Sequence, residues 1–73
     1  MPELRLNHSL YHPQAVEQAT RDFARLATIE HQATQTESIL QLSDLHPHFG
    51  ERLVDEIANH ALALSVQIWR SRQ

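Results

Sequence analysis

Seventy-three residues with a net charge of −3, counting histidine as neutral, leave room for one domain, residues 1–73, and one small core. A chain of this size buries only about 60% of its unfolded surface, so association is a reasonable source of extra stability. Cysteine and lysine are both absent and Gly50 is the only glycine, which excludes disulfides, thiolate metal sites, thiol or Schiff-base catalysis and a glycine-rich phosphate loop.

No apolar run reaches membrane-spanning length or resembles a signal peptide. The acidic balance argues against a nonspecific nucleic-acid binder, which displays a basic face. A cytoplasmic protein without a cofactor is the expectation.

Residues 3–10 alternate, with Leu4, Leu6 and Leu10 on one face and Arg5, Asn7 and Ser9 on the other. That is the pattern of a half-buried strand, and His8 falls on its apolar side. Tyr11-His12-Pro13 turns the chain, because the residue before a proline avoids the helical region and Pro13 suits a first helical position. From Pro13 to about Ala27 the spacing is helical. Val16, Ala19, Phe23 and Leu26 form the stripe, while Gln14, Glu17, Arg21, Asp22 and Arg25 face out. Asp22 lies near Arg21 and Arg25 for a surface ion pair.

Residues 27–43 admit a hairpin or a helix. Ala27, Ile29, His31 and Ala33 alternate with polar neighbours, and Leu40 and Leu42 form a second short run. Leu26, Ile29, Ala33 and Leu40 also fit a loose helical period. The hairpin is preferred, since a surface rich in Thr and Ser suits strands better than helices. Gln35-Thr36-Glu37 must then turn without Gly, Asn or Pro. In that arrangement His8 and His31 become candidate neighbours on the core side of the sheet.

The C-terminal third predicts one long helix from Pro47 to about Arg70, capped by Asp44 or His46. Phe49, Leu53, Ile57, Leu64 and Ile68, with Ala61 near them, share one arc of roughly 120°. Leu62, Val66 and Trp69 fall in the arc occupied by charge one turn earlier. Together with Ala58 they mark a partner interface on a helix long enough to overhang its sheet. His60 sits on the packed arc; at an interface it would make association pH-sensitive, though a polar residue near a helix middle needs no such role. The fold expected is α+β, in the order β-α-β-β-α: a small, mainly antiparallel three-stranded sheet with two helices on one face and a long C-terminal helix.

Candidate chemistry is sparse. His46-x-His48 beside Asp44 offers two imidazoles and a carboxylate to a metal, a weak signal at that spacing. The serines lack a nucleophile-elbow context, and adjacent Asp55 and Glu56 diverge by about 100° on a helix. An enzyme is not expected. The leading expectation is a noncatalytic module that docks a protein or peptide through the Leu62/Val66/Trp69 stripe or by strand addition at a sheet edge. A structural homodimer built on the C-terminal helix is the alternative, and a small histidine-based metal binder is the third.

The chain also resembles the HxsD-like family, small accessory proteins of His-Xaa-Ser peptide-maturation systems. The resemblance is carried by Leu6 to Tyr11, then Ala15, Val16, Ala19 and Phe23, and by Leu53, Asp55, Glu56, Ile57, Ala58, Asn59 and Leu62 in the closing helix. Asp55 and Asn59 stand in exchanged order relative to the family pattern, and Ala63 replaces its arginine. The resemblance implies a noncatalytic partner of radical-SAM maturases that presents a peptide substrate, with no catalytic residue carried over.

Overall fold

The computed structural model describes residues 2–71. Three strands and two helices follow in the order β1 (Glu3–Asn7), α1 (Pro13–Asp22), β2 (Thr28–Ala33), β3 (Glu37–Ser43) and α2 (Arg52–Ser71). The strands form one antiparallel sheet ordered β1-β3-β2, with both helices on the same face. The fold is therefore the small α+β arrangement that the alternation of strand and helix periods predicts.

β3 is the central strand, and its register sets the core. Leu4 and His31 flank Leu40, while Leu6 and Ala33 flank Ser38. Leu6, Ser38, Leu40 and Leu42 are buried beneath the helices, and Gln41, Glu30, Gln32 and Arg5 lie exposed on the bare face. The helices contribute Ala15, Val16 and Ala19 from α1, with Leu53, Ile57 and Ala61 from α2. Each fully buried Leu or Ile contributes about 1.5–3 kcal/mol.

The strand expected over residues 3–10 ends at Asn7. Asn7 Oδ1 accepts from the backbone N–H of Ser9 at 2.8 Å, and the N–H groups of Leu10 and Tyr11 both bond to Asn7 O. This folds the chain out of the sheet and leaves Leu10 60% exposed, not in the core. α1 starts at Pro13 as expected, with His12 Nδ1 accepting from Gln14 N at 3.1 Å. It stops at Asp22, short of Ala27, because Phe23 leaves helical geometry (φ −102°, ψ 8°).

Residues 28–43 form the hairpin. Its turn is Thr34-Gln35-Thr36, one residue earlier than the sequence suggests, and the threonine hydroxyl replaces the missing Gly or Asn. Thr34 Oγ1 accepts from the N–H groups of Thr36 (3.2 Å) and Glu37 (3.0 Å), and Thr34 N–H donates to Glu37 O at 2.8 Å. A short side chain that bonds its own backbone mimics a tight turn without positive φ.

The C-terminal helix begins later than Pro47. His46 to Glu51 make a separate helical turn, with Phe49 N and Gly50 N both bonded to His46 O. His46 Nδ1 accepts from His48 N at 3.2 Å and caps that turn. Gly50, at φ +53°, then breaks the run, a conformation that glycine adopts without steric cost. Asp44 is not a cap: at φ +52° it bends the chain out of β3.

Replacing Thr34 by Val should lower the unfolding free energy by about 1 kcal/mol, whereas Thr34→Ser should leave it nearly unchanged. Urea denaturation of the three proteins checks this; equal midpoints would show that the hydroxyl does not set the turn.

Candidate functional site

The features with functional potential are concentrated on α2, and the helix wheel explains why. Leu53, Ile57, Ala61 and Ser65 recur every four residues and are all fully buried. This line fixes which flank of α2 faces the sheet. The last of the four is polar and fully hydrogen-bonded: Ser65 Oγ accepts from His12 N at 2.8 Å and donates to Ala61 O at 2.7 Å. His12 thus caps α1, ties its backbone to α2 and presents its ring edge-on to Trp69, with centroids 6.0 Å apart.

Beyond Ser65 no residue of α2 is fully buried. A 20-residue helix is about 30 Å long, whereas strands of five to seven residues reach roughly 17–24 Å. The end of α2 therefore projects past the sheet, and the molecule extends 40 Å along its longest axis. Leu62 and Val66 are each 39% exposed. Ala58 is half-buried at the core margin, and Trp69 is half-buried against His12. Trp69 thus folds back onto the β1–α1 connection, while Leu62 and Val66 remain open.

Among the described residues neither sheet edge carries a covering strand. Pairing alternates along an antiparallel ladder, and the bonds at Pro2 O and His8 N place the inward-bonding groups of β1 on even-numbered residues. Glu3 and Arg5 therefore direct backbone groups outward beneath charged side chains, while Asn7 O is taken by the N–H groups of Leu10 and Tyr11; Arg5 pairs with Glu3 at 3.3 Å and with Glu37 at 3.0 Å. Charge of this kind blunts an edge against indiscriminate pairing. On β2 the outward groups belong to Ile29, His31 and Ala33.

The histidines do not assemble into one site. β3 separates His8 from His31, so the two are not neighbours. His31 is exposed, and His8 Nε2 lies 2.8 Å from Ser38 Oγ. Ser38 is closed off from solvent, so this contact satisfies a buried hydroxyl and offers no accessible nucleophile. The His46 and His48 rings stand 6.5 Å apart around Phe49, and the Asp44 carboxylate is directed to Thr28 Oγ1 at 3.5 Å. Among the described residues no group of three or more His, Cys, Asp or Glu side chains converges as a metal site. An open depression of about 690 Å³ lies between the start of β1 and the first turn of α2, rimmed by Glu3, Glu51 and Asp55 with Arg52.

No family model, curated protein or solved structure matches this chain. Among the described residues no helix is long and apolar enough to cross a membrane.

The remaining polar contact of note joins the two helices. His60 Nε2 donates to Asp22 Oδ2 at 2.7 Å, and its ring meets Phe23 edge-on at 5.5 Å. The sequence suggests an Asp22–arginine pair, but Arg21 bonds Glu17 at 2.6 Å. The hydrogen bond from His60, followed by that from Gln18, holds the Asp22 carboxyl below its ordinary value of 3.8. A carboxyl whose folded pKa is depressed stabilises the fold above its unfolded value and loses that contribution as pH falls through the folded one. The stability difference between the wild type and Asp22→Asn should therefore be present in full well above the ordinary carboxyl value of 3.8 and be lost as pH falls below it through the depressed folded pKa. Urea midpoints across that range check this, and a difference independent of pH would show that the carboxylate charge is immaterial.

Proposed function

We propose that this protein is a noncatalytic docking module that binds a protein or peptide through the flank of α2 carrying Ala58, Leu62, Val66 and Trp69. The observation that carries this reading is the exposure of Leu62 and Val66, 39% each, side by side on a helix whose buried line is already complete. A small domain that leaves neighbouring branched aliphatic side chains in water gains from covering them. The net charge of −3 mildly favours a basic partner, by steering rather than by contact. The open edge of β2 gives a peptide a second place to pair, through the outward backbone groups of Ile29, His31 and Ala33.

The biological setting we propose is accessory service to a radical-SAM peptide-maturation system, with the protein presenting a peptide and contributing no catalytic group. The sequence resemblance described above supports that setting, and the cysteine-free, lysine-free composition is consistent with a binding role.

A photoreactive amino acid in place of Leu62, incorporated in the source cells, should yield covalent polypeptide adducts on illumination. The same residue in place of Gln67, around the helix on another exposed side, should yield few. Absence of adducts from position 62, or equal yields from both positions, would overturn the docking reading.

A further inference from the structure

We infer that the occupant of this flank is a second copy of the chain, with the two α2 helices packed antiparallel about a twofold axis. This rests on the docking reading and names its partner. Asn59, Leu62, Val66 and Trp69 follow one another at spacings of three, four and three residues, the seam of a two-helix coiled coil. At about 100° per residue they fall within roughly 80° of one another. The other flank of the seam, at Ser65 and Trp69, lies against His12, so the open approach is over Leu62 and Val66 from the side of Glu56 and Arg70. His60, which meets Asp22 and Phe23 of α1, lies about 200° around the helix from Leu62, so α1 does not occupy the approach.

The charge beside the seam selects the partner and the direction. Glu56, Ala63 and Arg70 lie seven residues apart, immediately flanking the seam, and all three are exposed. An acid, a small residue and a base at heptad spacing form a row that is its own complement only when read in reverse. In an antiparallel pair, Leu62 of each copy meets Val66 of the other and Asn59 meets Trp69. Ala63 then faces Ala63 across the axis, and Glu56 of each copy meets Arg70 of its partner, twice by symmetry. A parallel pair would instead set this row against the other flank of the partner's seam, at Ala58 and Ser65, and leave Glu56 and Arg70 without each other. The small side chain at the axis lets the helices approach closely, and the opposed helix dipoles add to the same preference.

The test uses the purified 73-residue chain and molar mass by light scattering over a concentration series. The wild type should reach a dimer mass. Glu56→Arg and Arg70→Glu should each weaken dimerisation about tenfold, because each converts two attractive pairs into two repulsive ones. An equimolar mixture of the two variants should regain the wild-type dimer, since the heterodimer restores both pairs. Circular dichroism confirms that the exposed substitutions leave the fold intact. In this cysteine-free chain, Ala63→Cys should also give a disulfide-linked dimer under mild oxidation, and Gln67→Cys should not. A monomer mass at every concentration, a dimer indifferent to both reversals, or a mixture no stronger than its components would overturn the inference. Adducts from position 62 in cells would then still support docking with a different protein, whereas their absence would remove the docking reading itself.

Discussion

The buried hydroxyl of Ser65 is the contact on which the placement of the helices depends. It accepts from the N–H of His12, the residue before Pro13, and donates to Ala61 O one turn back along α2. An unpaired buried N–H costs about 1–3 kcal/mol, so the turn that ends β1 and starts α1 is held to one height on α2. That anchor also fixes the rotation of α2. With Leu53, Ile57 and Ala61 on the same four-residue line, the flank carrying Leu62 and Val66 is necessarily turned away from the core.

The sheet supplies the other fixed reference. β3 has a strand on each side, and its register places Leu40 and Leu42 under the helices while Gln41 and Ile39 take the opposite face. A one-residue slip would exchange these faces, so the hairpin turn carries structural weight beyond its three residues. Thr34 closes it by bonding its own backbone. A second cross-tie, from His46 N to Leu26 O at 2.7 Å, joins the connections at the far end of the hairpin. α2 is thereby held along its first fourteen residues, leaving the last turns to project.

α2 therefore combines two surfaces on one helix. The inner line satisfies the domain and the outer flank does not, and the transition follows from length: the helix outruns the strands beneath it. Trp69 partly closes the gap by packing on His12. Such a helix holds its exposed aliphatic residues in regular backbone, so a partner of the proposed kind would not have to order them first.

Much of this was legible in the chain itself, because periodicity is a local property. The alternation around Leu4 and Leu6, the helical spacing from Val16 to Ala19 and the proline at position 13 marked the first strand and helix, and the Thr and Ser residues of 27–43 favoured a hairpin over a helix, which together give the order β-α-β-β-α. The two apolar arcs of the last helix were also readable, Leu62 and Val66 among them. Other features depend on residues far apart in sequence. The strand order β1-β3-β2, which separates His8 from His31, is set by which edge of the hairpin β1 joins. The role of Ser65 depends on His12, fifty-three residues earlier; its position in line with Leu53, Ile57 and Ala61 was the available signal, obscured by its polarity. Local rules overextended the first strand to Leu10 and the last helix back to Pro47, because backbone bonds at Asn7 and the positive φ of Gly50 cut across the hydrophobic pattern. Outside residues 27–43, where it favoured a hairpin over a helix, sequence alone determined which segments are strands and helices and which faces are apolar, since both follow from neighbours a few residues away. The tertiary structure alone decided which apolar face is covered, since burial requires a partner surface that local spacing does not specify.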